Sequence, residues 1–279
     1  MIGFLLVDKP RGITSHDVVA RVRKAFNIKR VGHAGTLDPL ATGLLVIALG
    51  PATRLLRYVQ DLPKTYDVTA VLGVTTTTLD AEGEVVERKP VDVTPEQIKA
   101  AAATLTGEIE QTPPAVSAIK VGGERAYKRA RRGENVEMPV RRVTVYSFDV
   151  RRTSPDAFEA RIECSSGTYV RSLVADVGTK LECGAHVAHL RRVRIGDLDV
   201  VDAAKLEALD PAKVLPIDRA LTHLRRFEVD TDGAFAARNG RTLEGDIVDA
   251  EVLIVGPEGA VAVYQARGGV LKPVTVVGT

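Results

Sequence analysis

The chain reads as an α+β protein in which helices flank a mixed, largely antiparallel sheet, with a small β-rich module at the C-terminal end. Three observations predict this class. Apolar residues recur at period two over residues 66–72 and 158–164 and run continuously over 44–49, which marks strands; they recur at helical spacing over 15–26 and 168–181, which marks helices. The two kinds intermix without a regular βαβ rhythm. Beyond Asp210-Pro211 and Leu215-Pro216, short strand-like runs separated by Gly-rich turns take over.

The elements follow in order. Residues 3–7 form a strand, and a helix over Ser15–Phe26 places Val18, Val19, Val22 and Phe26 on one face. Residues 44–49 suit a buried strand, and residues 54–60 a short helix. The alternation in 66–72 puts Tyr66, Val68, Ala70 and Leu72 on one side, with Tyr66 at the strand's end. Thr94-Pro95-Glu96-Gln97 joins an N-cap, a proline at the first helical position and a Gln at the third, predicting a helix to Leu105. Residues 143–151 and Ala157–Cys164 pair as strands. Thr168 is the predicted N-cap of a helix carrying Val170, Leu173, Val174, Val177 and Leu181, with Gly184 past its end, and residues 186–195 return as a strand. Strands are then expected at 227–229, 251–255, 261–265 and 270–277, with a helix over Thr231–Arg238. The domain boundary falls between residues 222 and 223.

At 279 residues, 45% hydrophobic and 27% charged, the composition is that of an ordinary globular protein and argues against disorder. The longest apolar run is too short to cross a bilayer, and the N-terminus has no basic n-region or cleavage site, so a cytoplasmic protein with no membrane partner is expected. Two cysteines, Cys164 and Cys183, fit a reducing compartment. Cys183, His186 and His189 make a C-x2-H-x2-H cluster, but no fourth zinc ligand has matching spacing. The P-loop, G-x-G-x-x-G, G-x-S-x-G and H-E-x-x-H strings are missing, so no metal or other cofactor is expected.

The net charge of +2 hides an asymmetry. Residues 120–142 hold eight Lys/Arg (Lys120, Arg125, Lys128, Arg129, Arg131, Arg132, Arg141 and Arg142) against Glu124, Glu134 and Glu137, a net +5. Gly122, Gly123, Gly133 and Pro139 punctuate this stretch, which reads as a protruding arm of about residues 113–142 built for phosphate contact.

Gly32-His33-Ala34-Gly35-Thr36-Leu37-Asp38-Pro39-Leu40-Ala41-Thr42-Gly43 displays one carboxylate on a glycine-punctuated loop before an apolar strand. An Asp-Pro turn initiator would explain Asp38 alone. The whole motif, however, resembles the catalytic motif of the TruB family of tRNA pseudouridine-55 synthases. Lys64-Thr65-Tyr66, residues 165–171 (Ser-Ser-Gly-Thr-Tyr-Val-Arg) and residues 183–192 match that family in the right order. The similarity runs from about Gly3 to Arg194 and fades afterwards.

The resemblance implies a pseudouridine-synthase-like fold with a PUA-like C-terminal module, acting as a monomer on the T arm of tRNA. It makes Asp38 the catalytic residue, paired with Arg171, whose cation stands in a helix's first turn where the macrodipole disfavours it and some anion should compensate. It also implies that Tyr66 stacks on the flipped uracil and assists proton removal, that His33 helps open the loop, that Tyr169 lines the pocket and Leu190 packs on the base. Lys64, Arg129, Arg131 and Arg132 join these as substrate-binding residues. Whether the carboxylate attacks the ribose or the uracil ring stays open. Two alternatives remain: a noncatalytic RNA-binding or RNA-folding protein, and a guide-RNA-dependent pseudouridylase of the same superfamily.

Overall fold

The structure, a computed structural model, describes residues 1–114, 120, 121, 123–125, 129, 132, 134, 138–245, 247 and 249–278. Its described residues form two compact units, Met1–Leu62 with Arg194–Thr279, and Pro63–Val193. The class is α+β with mixed sheet pairing, as the periodicities predict.

The chain enters the first unit through β1 (Gly3–Lys9) and α1 (Ser15–Phe26). Thr14 and Asp17 close a capping box at the start of α1, a device worth about 1 kcal/mol, and Asn27 ends it in the left-handed region at φ 51°. Val18, Val19 and Val22 are buried, which fits the predicted stripe. Next come β2 (Val31–His33) and β3 (Thr42–Leu49), both paired antiparallel, with β3 between β2 and β1 in hydrogen-bonding terms. Strand β3 is buried on both faces, which is why its sequence is a continuous apolar run. The predicted helix over 54–60 is split into a 3-10 turn over Gly50–Leu55 and α2 (Leu56–Gln60).

The second unit holds β4 (Lys64–Leu72), the hairpin β5 (Val74–Thr76) and β6 (Val85–Arg88), α3 (Pro95–Ala103) and β7 (Gly107–Gln111). The short β8 (Lys120–Val121) and β9 (Glu124–Arg125) precede β10 (Arg141–Ser154), β11 (Ala157–Cys164), α4 (Val170–Lys180) and β12 (Ala185–Ile195). Here the strand order is β12-β4-β11-β10-β7, with the β4–β11, β11–β10 and β10–β7 pairs all antiparallel. Helix α3 carries the predicted capping box, Thr94 with Gln97. Helix α4 corrects one expectation, because Tyr169 and not Thr168 is its N-cap, without a side-chain cap bond. The Thr168 hydroxyl is turned to the Ser165 hydroxyl, 3.4 Å away, so it is spent inside the preceding turn.

Back in the first unit, β13 (Leu198–Asp199) and β14 (Ala204–Lys205) follow, the latter adding to β1 in parallel. A short α5 (Ile217–Ala220) leads to β15 (Arg225–Glu228), α6 (Thr231–Arg238), β16 (Leu243–Glu244), β17 (Ala250–Gly256), β18 (Gly259–Arg267) and β19 (Val270–Val276). These last strands make a five-stranded sheet in the order β15-β17-β18-β19-β16. Strand β17 lies between β15 and β18 and is buried on both sides. Leu253 and Val255 share a core with Phe4, Leu6, Leu44 and Val46, while Val252 and Ile254 pack with Ala234 and Ala237 of α6.

Tyr264 of β18 is fully buried, its hydroxyl 2.9 Å from the Arg241 carbonyl and 3.1 Å from that of Ala237. It therefore ties the chain leaving α6 to the sheet. Tyr264→Phe should lower stability by about 1–2 kcal/mol, the cost of leaving buried carbonyls undersatisfied. Urea unfolding of the two proteins checks this, and equal midpoints would contradict it.

Candidate active site

In the first unit, the loop that carries Asp38 is clamped from both sides by the segment entering α1. Ser15 is buried, and its hydroxyl accepts from the Leu37 amide (2.9 Å) and lies 3.2 Å from the Leu37 carbonyl. One residue past Asp38, the Pro39 carbonyl accepts from the Gly12 amide at 2.8 Å. Lys9 has no exposed surface, and its ammonium donates to the carbonyls of Pro10 (3.0 Å), Ile13 (2.8 Å) and Pro39 (3.4 Å). A buried ammonium needs such carbonyls, and here they are the backbone that frames the loop. Gly43 closes the loop at φ 100°, a conformation that side chains resist. Asp38 itself is half-buried, with Leu37 and Leu40 buried on either side of it, so the loop is rooted by its leucines. His33, also half-buried, ends β2 and meets His16 edge to face, the ring centroids 5.4 Å apart.

In the second unit, Arg171 is 4% exposed in the first turn of α4. Its Nη1 donates to the Thr78 carbonyl at 2.8 Å and to Asp80 Oδ2 at 3.2 Å. Asp80 is thus an anion that the macrodipole argument requires and that the sequence reading did not single out. It sits in the β5–β6 turn, where its other oxygen accepts from the Thr78 hydroxyl at 2.5 Å and from the Glu82 amide at 3.1 Å. The turn is in turn pinned to β12, Val187 bonding Leu79 and Ala81 through the backbone. Gly83 has to be glycine there, because a Cβ would stand 2.4 Å from the Thr78 hydroxyl oxygen and 2.7 Å from its amide nitrogen. The string Thr78-Leu79-Asp80-Ala81-Glu82-Gly83 is a recognisable Asx-type turn, and that was the available signal.

Gln111 is the second residue that the sequence reading passed over. Its side-chain amide copies a strand pairing with Tyr169, accepting from the Tyr169 amide (2.8 Å) and donating to its carbonyl (3.0 Å). Tyr169 is thereby held half-exposed at the mouth of α4. Tyr66 and Lys64 lie on the buried face of β4, 9% and 6% exposed, and Leu190 is buried on β12. The structure so places Tyr66, Lys64, Tyr169, Arg171 and Leu190 in one unit and His33 and Asp38 in the other.

Two sequence clusters resolve differently. Cys183 is buried, and His186 and His189 fall on opposite faces of β12, His186 buried with a ring nitrogen 3.0 Å from the Val74 carbonyl and His189 exposed. Residues three apart on a strand cannot converge on one ion. In the arm, Arg132 binds Glu124 through both terminal nitrogens and Glu134 through Nε, and Arg129 also reaches Glu134. Those carboxylates raise the Arg132 pKa, Glu124 first and then Glu134. Arg131, with Gly122, Lys128 and Gly133, lies outside the described residues.

The chain matches known proteins over nearly its whole length. The N-terminal domain of the TruB family pseudouridylate synthases matches residues 23–170, and the tRNA pseudouridylate synthase B C-terminal domain matches residues 171–235. A tRNA pseudouridine synthase B of Thermobifida fusca (strain YX) is 48% identical, covering 98% of each chain. One of Geobacillus thermodenitrificans (strain NG80-2) is 40% identical over 99% of each. Among solved structures, a chain of a Cbf5-Nop10-Gar1 complex aligns with a TM-score of 0.75 over 99% of this chain and 84% of that one, at 24% identity, and so shares the fold. On these matches, the chain belongs to the TruB family of pseudouridylate synthases.

Proposed function

We propose that this enzyme converts uridine 55 in the T loop of tRNA to pseudouridine, working as a monomer in the cytoplasm without a guide RNA. The observation that carries the reading is the aspartate loop: a half-buried aspartate in a segment that Ser15, Gly12 and Lys9 anchor. A reacting group must be held to a fraction of an ångström to be useful, and this loop spends a buried lysine and a buried serine on doing so. The near full-length likeness to proteins named tRNA pseudouridine synthase B supports tRNA as the substrate class. Among the described residues no helix is long and apolar enough to cross a membrane.

The reaction breaks the bond between N1 of uracil and the ribose carbon, turns the base, joins C5 to that carbon, and moves the C5 proton away while N1 regains one. Atoms are conserved and no electrons are exchanged. A carboxylate serves either by attacking the sugar, as in retaining glycosidases, or by adding to the ring. In this reading Asp38 is that nucleophile, and Arg171, which also binds Asp80 and Thr78, is a catalytic residue with it. The target uridine has to leave the loop stack and enter a pocket, where Tyr66 stacks on the base and assists proton removal from C5, Leu190 packs against it, and Tyr169 and Lys64 line the site. His33 wedges the RNA loop open. The arm, with Arg129, Arg131 and Arg132, covers the T arm, and residues 223–279 form a PUA-like RNA-binding module beyond the catalytic domain of residues 1–222.

Incubating the purified protein, dialysed against EDTA, with unmodified tRNA transcript and mapping pseudouridine tests the assignment. The expected product is a single pseudouridine at position 55 with no added nucleotide, metal or guide RNA. Binding without conversion would favour a noncatalytic RNA-folding role, and conversion only with an added RNA would favour a guided enzyme.

A further inference from the structure

Residues 11–30 carry Arg11, Arg21, Arg23, Lys24, Lys29 and Arg30 against Asp17 alone, a net +5 equal to that of the arm. All six cations are exposed. Two have local work: Arg23 donates to the carbonyls of Lys29 (3.1 Å) and Val31 (3.5 Å), and Lys24 stands with it in the last turn of α1, where a cation complements the macrodipole. Arg21 stands one turn after Asp17 and, behind the Thr14 hydrogen bonds, helps to hold its carboxyl below the usual range, whereas nothing local accounts for Lys29, Arg30 and Arg11. The one acid, Asp17, is taken up by the capping box, its carboxylate 2.8 Å from the Thr14 amide and 2.6 Å from its hydroxyl.

The contrast with the arm is instructive. There the described cations Arg129 and Arg132 are neutralised by Glu124 and Glu134 at 2.7–2.8 Å. Around α1, among the described residues, no carboxylate reaches ion-pair distance of Arg11, Arg21, Lys24, Lys29 or Arg30. A row of like charges with Asp17 as its one acid is maintained against its own repulsion, which a polyanionic partner relieves. The buried stripe of Val18, Val19 and Val22 faces the core, so Arg21 and Lys24, three apart, lie on the opposite, solvent side. Twelve residues of helix give a track of about 18 Å, with Lys29 and Arg30 extending it. The track shows no exposed Phe, Tyr or Trp, Phe26 being half-buried and the exposed His16 ring standing edge to face with His33, so it suits a sugar-phosphate backbone more than stacked bases. It is also registered to the chemistry, because Ser15 and Gly12 tie the start of α1 to Leu37 and Pro39 on either side of Asp38.

We propose that the exposed face of α1 with its 29–30 extension is a phosphate-binding track for the tRNA substrate, which fixes the distance between the RNA backbone and the Asp38 loop. It rests on tRNA being the substrate. Replacing Arg21, Lys24, Lys29 and Arg30 by Ala, with Arg23 left to hold the turn, should weaken tRNA binding at least about tenfold near 0.1 M salt and lower the slope of log affinity against log salt by about three. Removing four exposed cations elsewhere, at Arg88, Lys89, Lys99 and Lys180, should leave affinity and slope within about twofold and half a unit, since net charge alone is not the cause. In the wild-type protein, bound tRNA should slow amine labelling of Lys24 and Lys29 read by mass spectrometry, an outcome that does not depend on any variant folding. Unchanged affinity and slope in the quadruple variant, or equal labelling with and without tRNA, would overturn the track while leaving the enzyme assignment intact. A wild-type protein that neither binds nor isomerises tRNA would overturn both.

Discussion

Asp38→Asn is expected to abolish pseudouridine formation, by roughly 10⁴-fold or more in single-turnover rate, the scale on which enzymes lose rate when a nucleophile is removed. The substitution keeps the shape of the side chain and removes its charge. The loop should survive it, since its anchors are Ser15, Gly12 and Lys9 acting on Leu37 and Pro39, and none of these bonds uses the Asp38 side chain. Affinity for tRNA should therefore stay within about threefold, below 1 kcal/mol. The measurement is tritium release or mass-mapped pseudouridine under single-turnover conditions, alongside a binding titration. Turnover by the Asn variant within tenfold of wild type would remove Asp38 from the chemistry.

Arg171→Ala should damage both stability and catalysis. Its guanidinium and the Asp80 carboxylate are 4% and 6% exposed, and truncating one partner of a buried ion pair costs about 3–5 kcal/mol because the other charge is stranded. Chemical denaturation should show that loss. Arg171→Lys separates the two effects: a lysine keeps a cation near Asp80 but lacks the planar guanidinium whose Nη1 meets the Thr78 carbonyl and Asp80 together. It should recover much of the stability and little of the rate, which should remain down by about 10²-fold or more. Asp80→Asn should fall in the same direction, through Arg171 and not through contact with RNA, with the rate constant reduced more than the affinity. Wild-type stability in Arg171→Ala would refute the burial argument, and full activity in Arg171→Lys would refute the positioning role.

Local placement was legible in the sequence: the alternation put Tyr66 on the buried side of its strand, and the helix start made the Arg171 cation anomalous. The chemical roles proposed for Asp38, Tyr66 and Arg171 came from the resemblance to the TruB family and not from these signals. What escaped were residues whose work depends on distant partners. Gln111 meets Tyr169 across 58 positions, and Lys9 reaches Pro39 across 30. Neither stands out in its own neighbourhood, where Gln111 ends a polar strand and Lys9 precedes a proline. A count of charges also does not reveal which pairs form, such as Glu124 and Glu134 with Arg129 and Arg132 in the arm.

Period and capping are properties of neighbouring residues, so the sequence by itself determined the α+β class, helices such as Ser15–Phe26 and Thr231–Arg238, and the loop that displays Asp38. Partner choice is not local. The chain has 36 acidic side chains, and only tertiary packing decided that Arg171 would meet Asp80, 91 residues away, because burial excludes water and a guanidinium there has to be satisfied by groups that the fold brings to it, the Asp80 carboxylate and the Thr78 carbonyl among them.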